Sequence, residues 1–265
     1  MNILKLIQDI EKVDPEVYER LDSRRSIFKH FSGFGMKVAA AAVPLALGSM
    51  FKKAYGQSSN TIVDTLQFAL TLEYLEDEFY RLGLASPAVQ AENRAVIQQI
   101  SKHEAAHVKF LQDAIKSLNA TPVTKPTFDF SAKGNFPTWN SDPAVFLAIA
   151  QAFEDTGVRA YKGQAGNLVG SNAVLTAALQ IHSVEARHAA EIRRIRGLKS
   201  WITGNERGAG MPAATQAVYN GEEVTTQAGV NIVSGNISSA AATEAFDEPL
   251  NKQQVLDIAS LFIVA

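Results

Sequence analysis

The chain has 265 residues, of which 20% are charged, with a formal net charge of −2 and no cysteine. The near-neutral charge provides no basic surface for nucleic acid, and the absence of thiols excludes disulfides, zinc–thiolate sites and iron–sulfur clusters. Any metal must therefore be held by carboxylate and imidazole groups, which suit iron or manganese.

Residues 1–56 are predicted to form an N-terminal stretch that contains an export signal. Arg24 and Arg25 precede a weakly apolar segment at about residues 31–51, which is rich in alanine and glycine. A basic pair follows, and then Ala54-Tyr55-Gly56, a small-x-small pattern that signal peptidases cut. The stretch resembles a twin-arginine translocation signal, which exports folded proteins, and this resemblance implies a periplasmic or cell-envelope location.

Two other interpretations of this stretch stay open. It also suits a buried, alanine-rich helix of a cytosolic protein, or an uncleaved anchor of barely sufficient length to span a bilayer. An uncleaved signal is the only membrane contact that the sequence suggests. Residues 1–22 form an additional amphipathic stretch whose role the sequence does not indicate.

Two helices are predicted at the start of the next region, 57–203. Apolar residues recur at helical spacing from about residue 61 to 82, and again up to about Leu118. We expect Ser86 to cap the second helix and Pro87 to occupy its first position. Because only a few residues join the two helices, they should pack antiparallel.

A long connection separates these helices from a second helical pair. Residues 119–141 contain three prolines and several aromatic residues, which predicts an ordered connection packed across the bundle. Asp142 and Pro143 are expected to open the third helix, which runs to about Asn167, and the fourth should end near Gly197. Short loop, long crossover and short loop predict an all-α, antiparallel four-helix bundle.

The remaining residues, 204–265, are predicted to form an irregular extension. Their composition shifts to glycine, serine, alanine, threonine and asparagine up to about residue 248. Asn251 then starts a short terminal helix, predicted over 255–264. This helix is apolar enough to need a partner surface, which is either the bundle or a second subunit, so a homo-oligomer stays open.

Each helical pair carries the same set of metal-ligand side chains at the same spacing. The first glutamate of each pair precedes the second by 31 residues, at positions 73 and 104 (104 − 73 = 31) and at positions 154 and 185 (185 − 154 = 31). A Glu-x-x-His step places both side chains on one helix face. Independent surface residues have no reason to repeat over so long an interval, so the repetition predicts four carboxylates and two imidazoles around two ions. The predicted ligands are Glu73, Glu104 and His107 in the first pair and Glu154, Glu185 and His188 in the second.

Three further residues near the motif have alternative roles. Glu76 lies one turn beyond Glu73 on the same inward face and could replace it as a ligand, although the matched interval favours Glu73. A tyrosine follows the first glutamate of each pair by seven residues. Tyr80 and Tyr161 are expected either to pack in the core or to orient ligating groups.

Three histidines lie outside the Glu-x-x-His steps. His103 and His182 neighbour the motifs but break their symmetry, and we expect them at the surface or beside the ligands. His30 falls inside the predicted signal.

The ligand motifs, the segment Leu70–Glu76 (LTLEYLE) and the segment Ala245–Leu250 (AFDEPL) make the chain resemble the ferritin-like superfamily. Within it, the chain is most similar to exported bacterial proteins often called desiccation-related. The resemblance covers about residues 60–200 and implies two iron or manganese ions that handle dioxygen, peroxide or ferrous iron. It further implies terminal ligands Glu73 and Glu154, bridging ligands Glu104 and Glu185, and capping ligands His107 and His188.

Three functions follow from this interpretation. The first is an exported di-metal oxidoreductase, ferroxidase-like or catalase-like, acting on a small-molecule oxidant or a metal ion. The second is a non-enzymatic stress or envelope-associated protein in which the metal is structural or absent. The third, iron storage in a hollow cage, fits least, because the long extension would encumber cage packing.

Overall fold

The computed structural model describes residues 59–264 of the chain, which form a bundle of four long helices and an extension. The helices are α1 (Ser59–Leu84), α2 (Ala91–Ser117), α3 (Pro143–Gln164) and α4 (Asn172–Ile195), and a 3-10 turn (Ala165–Leu168) continues α3. α1 packs mainly on α2 and α3 mainly on α4, with smaller α1–α3 and α2–α4 contacts. The predicted all-α bundle with one long crossover is confirmed.

The predicted export signal and His30 lie outside the described residues. Within residues 59–264, every helix is too short or too polar to cross a membrane. The predicted division of the chain at residues 56 and 203 stays a prediction.

The predicted start of α3 is confirmed by its hydrogen bonds. The Asp142 carboxylate accepts from the backbone N–H of Ala144 at 2.8 Å, and Pro143 occupies the first position of the helix. At the end of α4, Gly197 adopts a φ of +71°, which supports its predicted place beyond the helix C-terminus.

The prediction that Ser86 and Pro87 open α2 was wrong, because the helix begins at Ala91. The Ser86 hydroxyl instead stabilises a turn: it donates to the Gly83 carbonyl at 2.8 Å and accepts from the Ala88 N–H at 3.2 Å. This turn buries Ala88 in the core, and the burial outweighs the local helix-start signal.

The long crossover packs onto the bundle through its aromatic residues. Phe130 and Phe136 are both buried, and the ring centroid of Phe130 lies 5.3 Å from that of Phe79 on α1. The crossover also contains a short strand, β1 (Thr127–Phe128).

The extension after α4 consists of short elements, and much of it packs against α3. They are a 3-10 turn (Ala213–Val218), β2 (Thr226–Gln227), β3 (Val230–Asn231), α5 (Ser239–Thr243), α6 (Lys252–Ala259) and β4 (Ile263–Val264). β2 pairs with β3, and β4 pairs with β1 of the crossover, both antiparallel. The terminal helix is therefore shorter than predicted, because the chain leaves it to form β4.

Arg159 on α3 anchors this extension and is itself 1% exposed. Its Nε donates to the Glu248 carbonyl at 2.7 Å and lies 2.7 Å from Glu222 Oε1 in an ion pair, and its Nη2 donates to the Asn220 carbonyl at 3.0 Å. The Leu250 N–H donates to the carbonyl of Arg159 at 3.1 Å. Every residue of α3 from Ala148 to Tyr161 is consequently buried.

Gly163 on α3 allows the closest approach of the extension. A Cβ at this position would lie 1.9 Å from the Leu250 carbonyl oxygen. We therefore expect Gly163→Ala to lower the free energy of unfolding by about 1–3 kcal/mol, although alanine favours a helix over glycine. Thermal unfolding checks this, with Gly166→Ala as the control, because a Cβ there meets nothing within 4 Å. Equal melting temperatures for the two variants would contradict the expectation.

Candidate metal centre

The six predicted ligands lie together in the middle of the bundle, and all four helices contribute to the group. The carboxylates of Glu73, Glu104, Glu154 and Glu185 are fully buried, and the imidazoles of His107 and His188 are buried. The group separates two apolar clusters, one around Phe79 and Phe146 and the other around Leu66 and Leu111. Burial of four carboxylates inside an apolar bundle demands a compensating positive charge.

The first half of the centre is arranged around the Nδ1 atom of His107. This atom lies 3.2 Å from Glu73 Oε2, 3.1 Å from Glu104 Oε2 and 3.2 Å from Glu185 Oε1. One ligand atom from each of these four residues lies within 4.8 Å of the others. Such a group is compact enough to surround one metal ion.

The second half is arranged in the same way around His188. Its Nδ1 atom lies 2.9 Å from Glu104 Oε1 and 3.2 Å from Glu154 Oε2, and Glu185 completes the group. Glu104 therefore directs one carboxylate oxygen to each half, and Glu185 belongs to both. Both carboxylates are thus shared by the two ligand groups.

Several buried atoms of the centre have no hydrogen-bond partner among the described residues. They are Glu104 Oε1, Glu154 Oε2, both carboxylate oxygens of Glu185, and His188 Nδ1. His188 Nδ1 and Glu104 Oε1 are 2.9 Å apart but are not aligned as a hydrogen bond. Unpaired buried polar atoms are costly, and these converge on the centre, so the residues fit metal ions. Their oxygen and imidazole donors suit iron or manganese.

The centre also perturbs the pKa values of its own groups. Burial raises the pKa of Glu104 to about 7, against the lowering effect of the nearby imidazoles of His107 and His188. Burial lowers the pKa of His188, but the carboxylates of Glu154 and Glu104 outweigh burial and raise it to about 11. Neighbouring carboxylates likewise raise the pKa of His107. In the metal-free protein both imidazoles are therefore protonated at neutral pH. A metal ion must displace these protons in order to bind.

A family model described as a ferritin-like domain matches residues 61–198, which span all four helices. The chain belongs to this family. A search of curated proteins found no significant match.

The two tyrosines of this ferritin-like protein connect its two halves. The Tyr80 hydroxyl donates to Glu154 Oε1, and the Tyr161 hydroxyl donates to Glu73 Oε1 at 2.5 Å. Each tyrosine thus orients the first glutamate of the opposite helical pair. The sequence left their role open between packing and orientation, and both tyrosines are buried and hydrogen-bonded.

Glu76 lies beside the centre but outside both ligand groups. It is 4% exposed, and burial raises its pKa well above the usual value, with the charge of Glu185 as the next largest cause. The matching residue of the second pair is Gly157, three positions after Glu154. A Cβ at Gly157 would lie 3.4 Å from Glu76 Oε1 and 3.0 Å from Glu185 Oε2, so this glycine leaves room for both carboxylates.

His103 contacts the centre, whereas His182 does not. His103 Nδ1 lies 2.9 Å from His188 Nε2, and the two rings stack with centroids 5.1 Å apart. Gln99 Nε2 lies 2.6 Å from the other ring nitrogen of His103. His182 Nδ1 instead lies 3.0 Å from the Val158 carbonyl.

Because His103 holds the ring of His188, we expect His103→Ala to weaken metal binding at the His188 half of the centre by about 10–100-fold. Binding at the His107 half should change little. Titration of the metal-free protein with manganese(II), followed by calorimetry, checks this, and His182→Ala is the matched control. Indistinguishable titrations for the two variants would show that the contact does not affect metal binding.

Proposed function

We propose that this ferritin-like protein binds two iron or manganese ions and uses them for redox chemistry on peroxide, dioxygen or ferrous iron. The observation that carries the proposal is the pair of ligand groups that share Glu104 and Glu185, with unpaired buried atoms directed to the centre. These six residues would hold the two ions, which would supply one-electron redox steps when bound.

The four carboxylates balance the charge of two divalent cations, so the loaded centre stays nearly neutral inside the bundle. The tyrosine hydrogen bonds occupy Oε1 of Glu73 and of Glu154, while Oε2 of each faces the nearby histidine Nδ1. Each terminal glutamate is thereby oriented with one oxygen free for metal.

The imidazole of His188 is oriented in a similar way. Its Nδ1 faces the carboxylates, and its Nε2 faces His103, which favours the tautomer with the proton on Nε2. The surrounding aromatic and aliphatic clusters exclude bulk water from these contacts.

We further propose that the protein acts in the periplasm or cell envelope, since the twin-arginine pattern at Arg24 and Arg25 favours export. Folding before export allows the cytosol to supply the metal. The subtype implied by the resemblance, a desiccation-related protein, belongs to the same proposal.

Elemental analysis of the protein purified from the envelope fraction of metal-replete cells tests this function. We expect about two iron or manganese ions per chain, together with consumption of peroxide or dioxygen, or oxidation of ferrous iron, by the same sample. Trace metal only would refute the di-metal proposal. A full complement of metal without any turnover would favour a structural role of the ions, and recovery from the cytosolic fraction would refute export.

A further inference from the structure

An apolar cavity of about 20 Å³ lies between the helices on one side of the metal ligands. All four helices line it, and carbon atoms form almost all of its surface. Among its lining residues, Ala69, Leu111 and Ile181 each stand four positions, about one helical turn, from a predicted ligand on the same helix. The cavity is therefore the layer of the bundle next to the metal centre.

Tyr161 forms a wall that the cavity shares with the centre. Its ring lines the cavity, and its hydroxyl donates to Glu73 Oε1 at 2.5 Å. Phe110 also lines the cavity and is 38% exposed, so the cavity approaches the outside of the bundle beside this ring. The cavity thus lies between the surface at Phe110 and the Tyr161 ring beside the centre.

Comparison of the two internal repeats shows that this space occurs at one end of the bundle. When Glu73 and Glu104 are aligned with Glu154 and Glu185, three small residues that line the cavity match three large residues at the other end. The large residues are fully buried and fill their end of the core. Thr65 matches Phe146, Ala160 matches Phe79, and Ala178 matches Ile97.

We infer that this cavity binds a single dioxygen molecule beside the metal centre and favours dioxygen over hydrogen peroxide. An apolar void is a poor site for water, but it accepts small apolar molecules. Hydrogen peroxide would lose its hydrogen bonds with water on entering, at a cost of about 1–3 kcal/mol for each unsatisfied group, whereas dioxygen has few to lose. This inference rests on the proposed function, because it names the oxidant of the same centre.

Xenon is a suitable probe, since it occupies apolar cavities and needs no metal. We expect xenon to bind the metal-free wild-type protein in this cavity, detected by xenon NMR and in xenon-pressurised crystals. Ala178→Ile introduces the residue of the matching position and should weaken xenon binding at least about tenfold, while Thr65→Val, of nearly the same volume, should retain it. Absence of xenon from the wild-type cavity would overturn the inference.

A kinetic experiment tests the choice of oxidant. In protein loaded with ferrous iron, Ala178→Ile should slow oxidation by dioxygen about tenfold and leave the rate with hydrogen peroxide unchanged. Equal effects on both rates, or no effect on either, would overturn the role of the cavity. Ala178→Val provides a smaller change if the isoleucine variant does not fold. Elemental analysis of the wild type and of each variant separates the two proposals. Trace metal in the wild type refutes the proposed function itself. A full complement of metal in a variant with weakened xenon binding assigns any change in rate to the cavity.

Discussion

Glu185→Gln is expected to lower the affinity of the centre for metal more than about 100-fold, leaving only trace metal in the purified protein. Both oxygens of Glu185 are buried and have no hydrogen-bond partner within residues 59–264, and the residue belongs to both ligand groups. Its loss therefore removes a ligand from each half at once. Glu73→Gln removes a ligand from one half only, and we expect that variant to retain part of its metal.

The stability of the metal-free protein distinguishes this effect from misfolding. Burial, and next the charge of Glu104, raise the pKa of Glu185 well above its usual value, so a neutral amide suits its surroundings better than a carboxylate. The melting temperature of metal-free Glu185→Gln should accordingly equal or exceed that of the wild type. Glu191→Gln is the control, because this half-buried glutamate of α4 pairs only with Arg194 among the described residues. Two ions per chain in Glu185→Gln would contradict the bridging role.

Metal affinity is expected to rise steeply with pH between about pH 6 and pH 8. The pKa of His188 is raised to about 11 and that of His107 is raised as well, so the metal-free protein binds more protons than the metal-bound protein. Lower pH thus favours the metal-free state, and each proton that metal displaces changes the affinity about tenfold per pH unit. Two displaced imidazolium protons predict about a hundredfold change per unit.

Manganese(II) titrations by calorimetry at several pH values measure this dependence. Buffers of different ionisation enthalpy count the released protons directly. Glu104, with a pKa raised to about 7, should add a further proton at the acidic end of the range. His182→Ala should follow the wild-type profile, because that histidine lies away from the centre. An affinity independent of pH would show that the imidazoles are already neutral in the metal-free protein.

The features that were predictable from the sequence are those set by spacing along a single helix. The Glu-x-x-His steps place Glu104 with His107, and Glu185 with His188, whatever the rest of the fold does. The equal intervals then relate two helical pairs, and short loops make each pair antiparallel. These local rules suffice for the bundle and for bringing the six side chains together.

The remaining features depend on how helices from different pairs are rotated and offset. The hydrogen bonds from Tyr80 to Glu154 and from Tyr161 to Glu73 cross between pairs, and so does the contact of His103 with His188. No spacing along the chain encodes them. For the contact of His103 with His188, the one indication in the sequence was the position of His103 next to Glu104.

The wrong helix start at Ser86 has a related cause. Capping residues favour a helix N-terminus by about 1 kcal/mol, and the burial of apolar side chains in a turn readily exceeds this amount. The terminal helix is shorter than predicted because a distant contact again outweighs the local signal. Val264 leaves the helix and pairs with Thr127, which lies far away in the chain.

The extension covers the outer face of α3, and this determines when folding can be completed during synthesis. Arg159 and Leu250 meet only after the ribosome has added about ninety residues beyond Arg159 (250 − 159 = 91). Until then, the outer face of α3 is exposed to solvent, including Asp155, which is buried and paired with Arg193 of α4 in the folded protein. Native assembly is therefore expected to finish late in synthesis, and chaperones have access to this face of the emerging chain until the extension covers it.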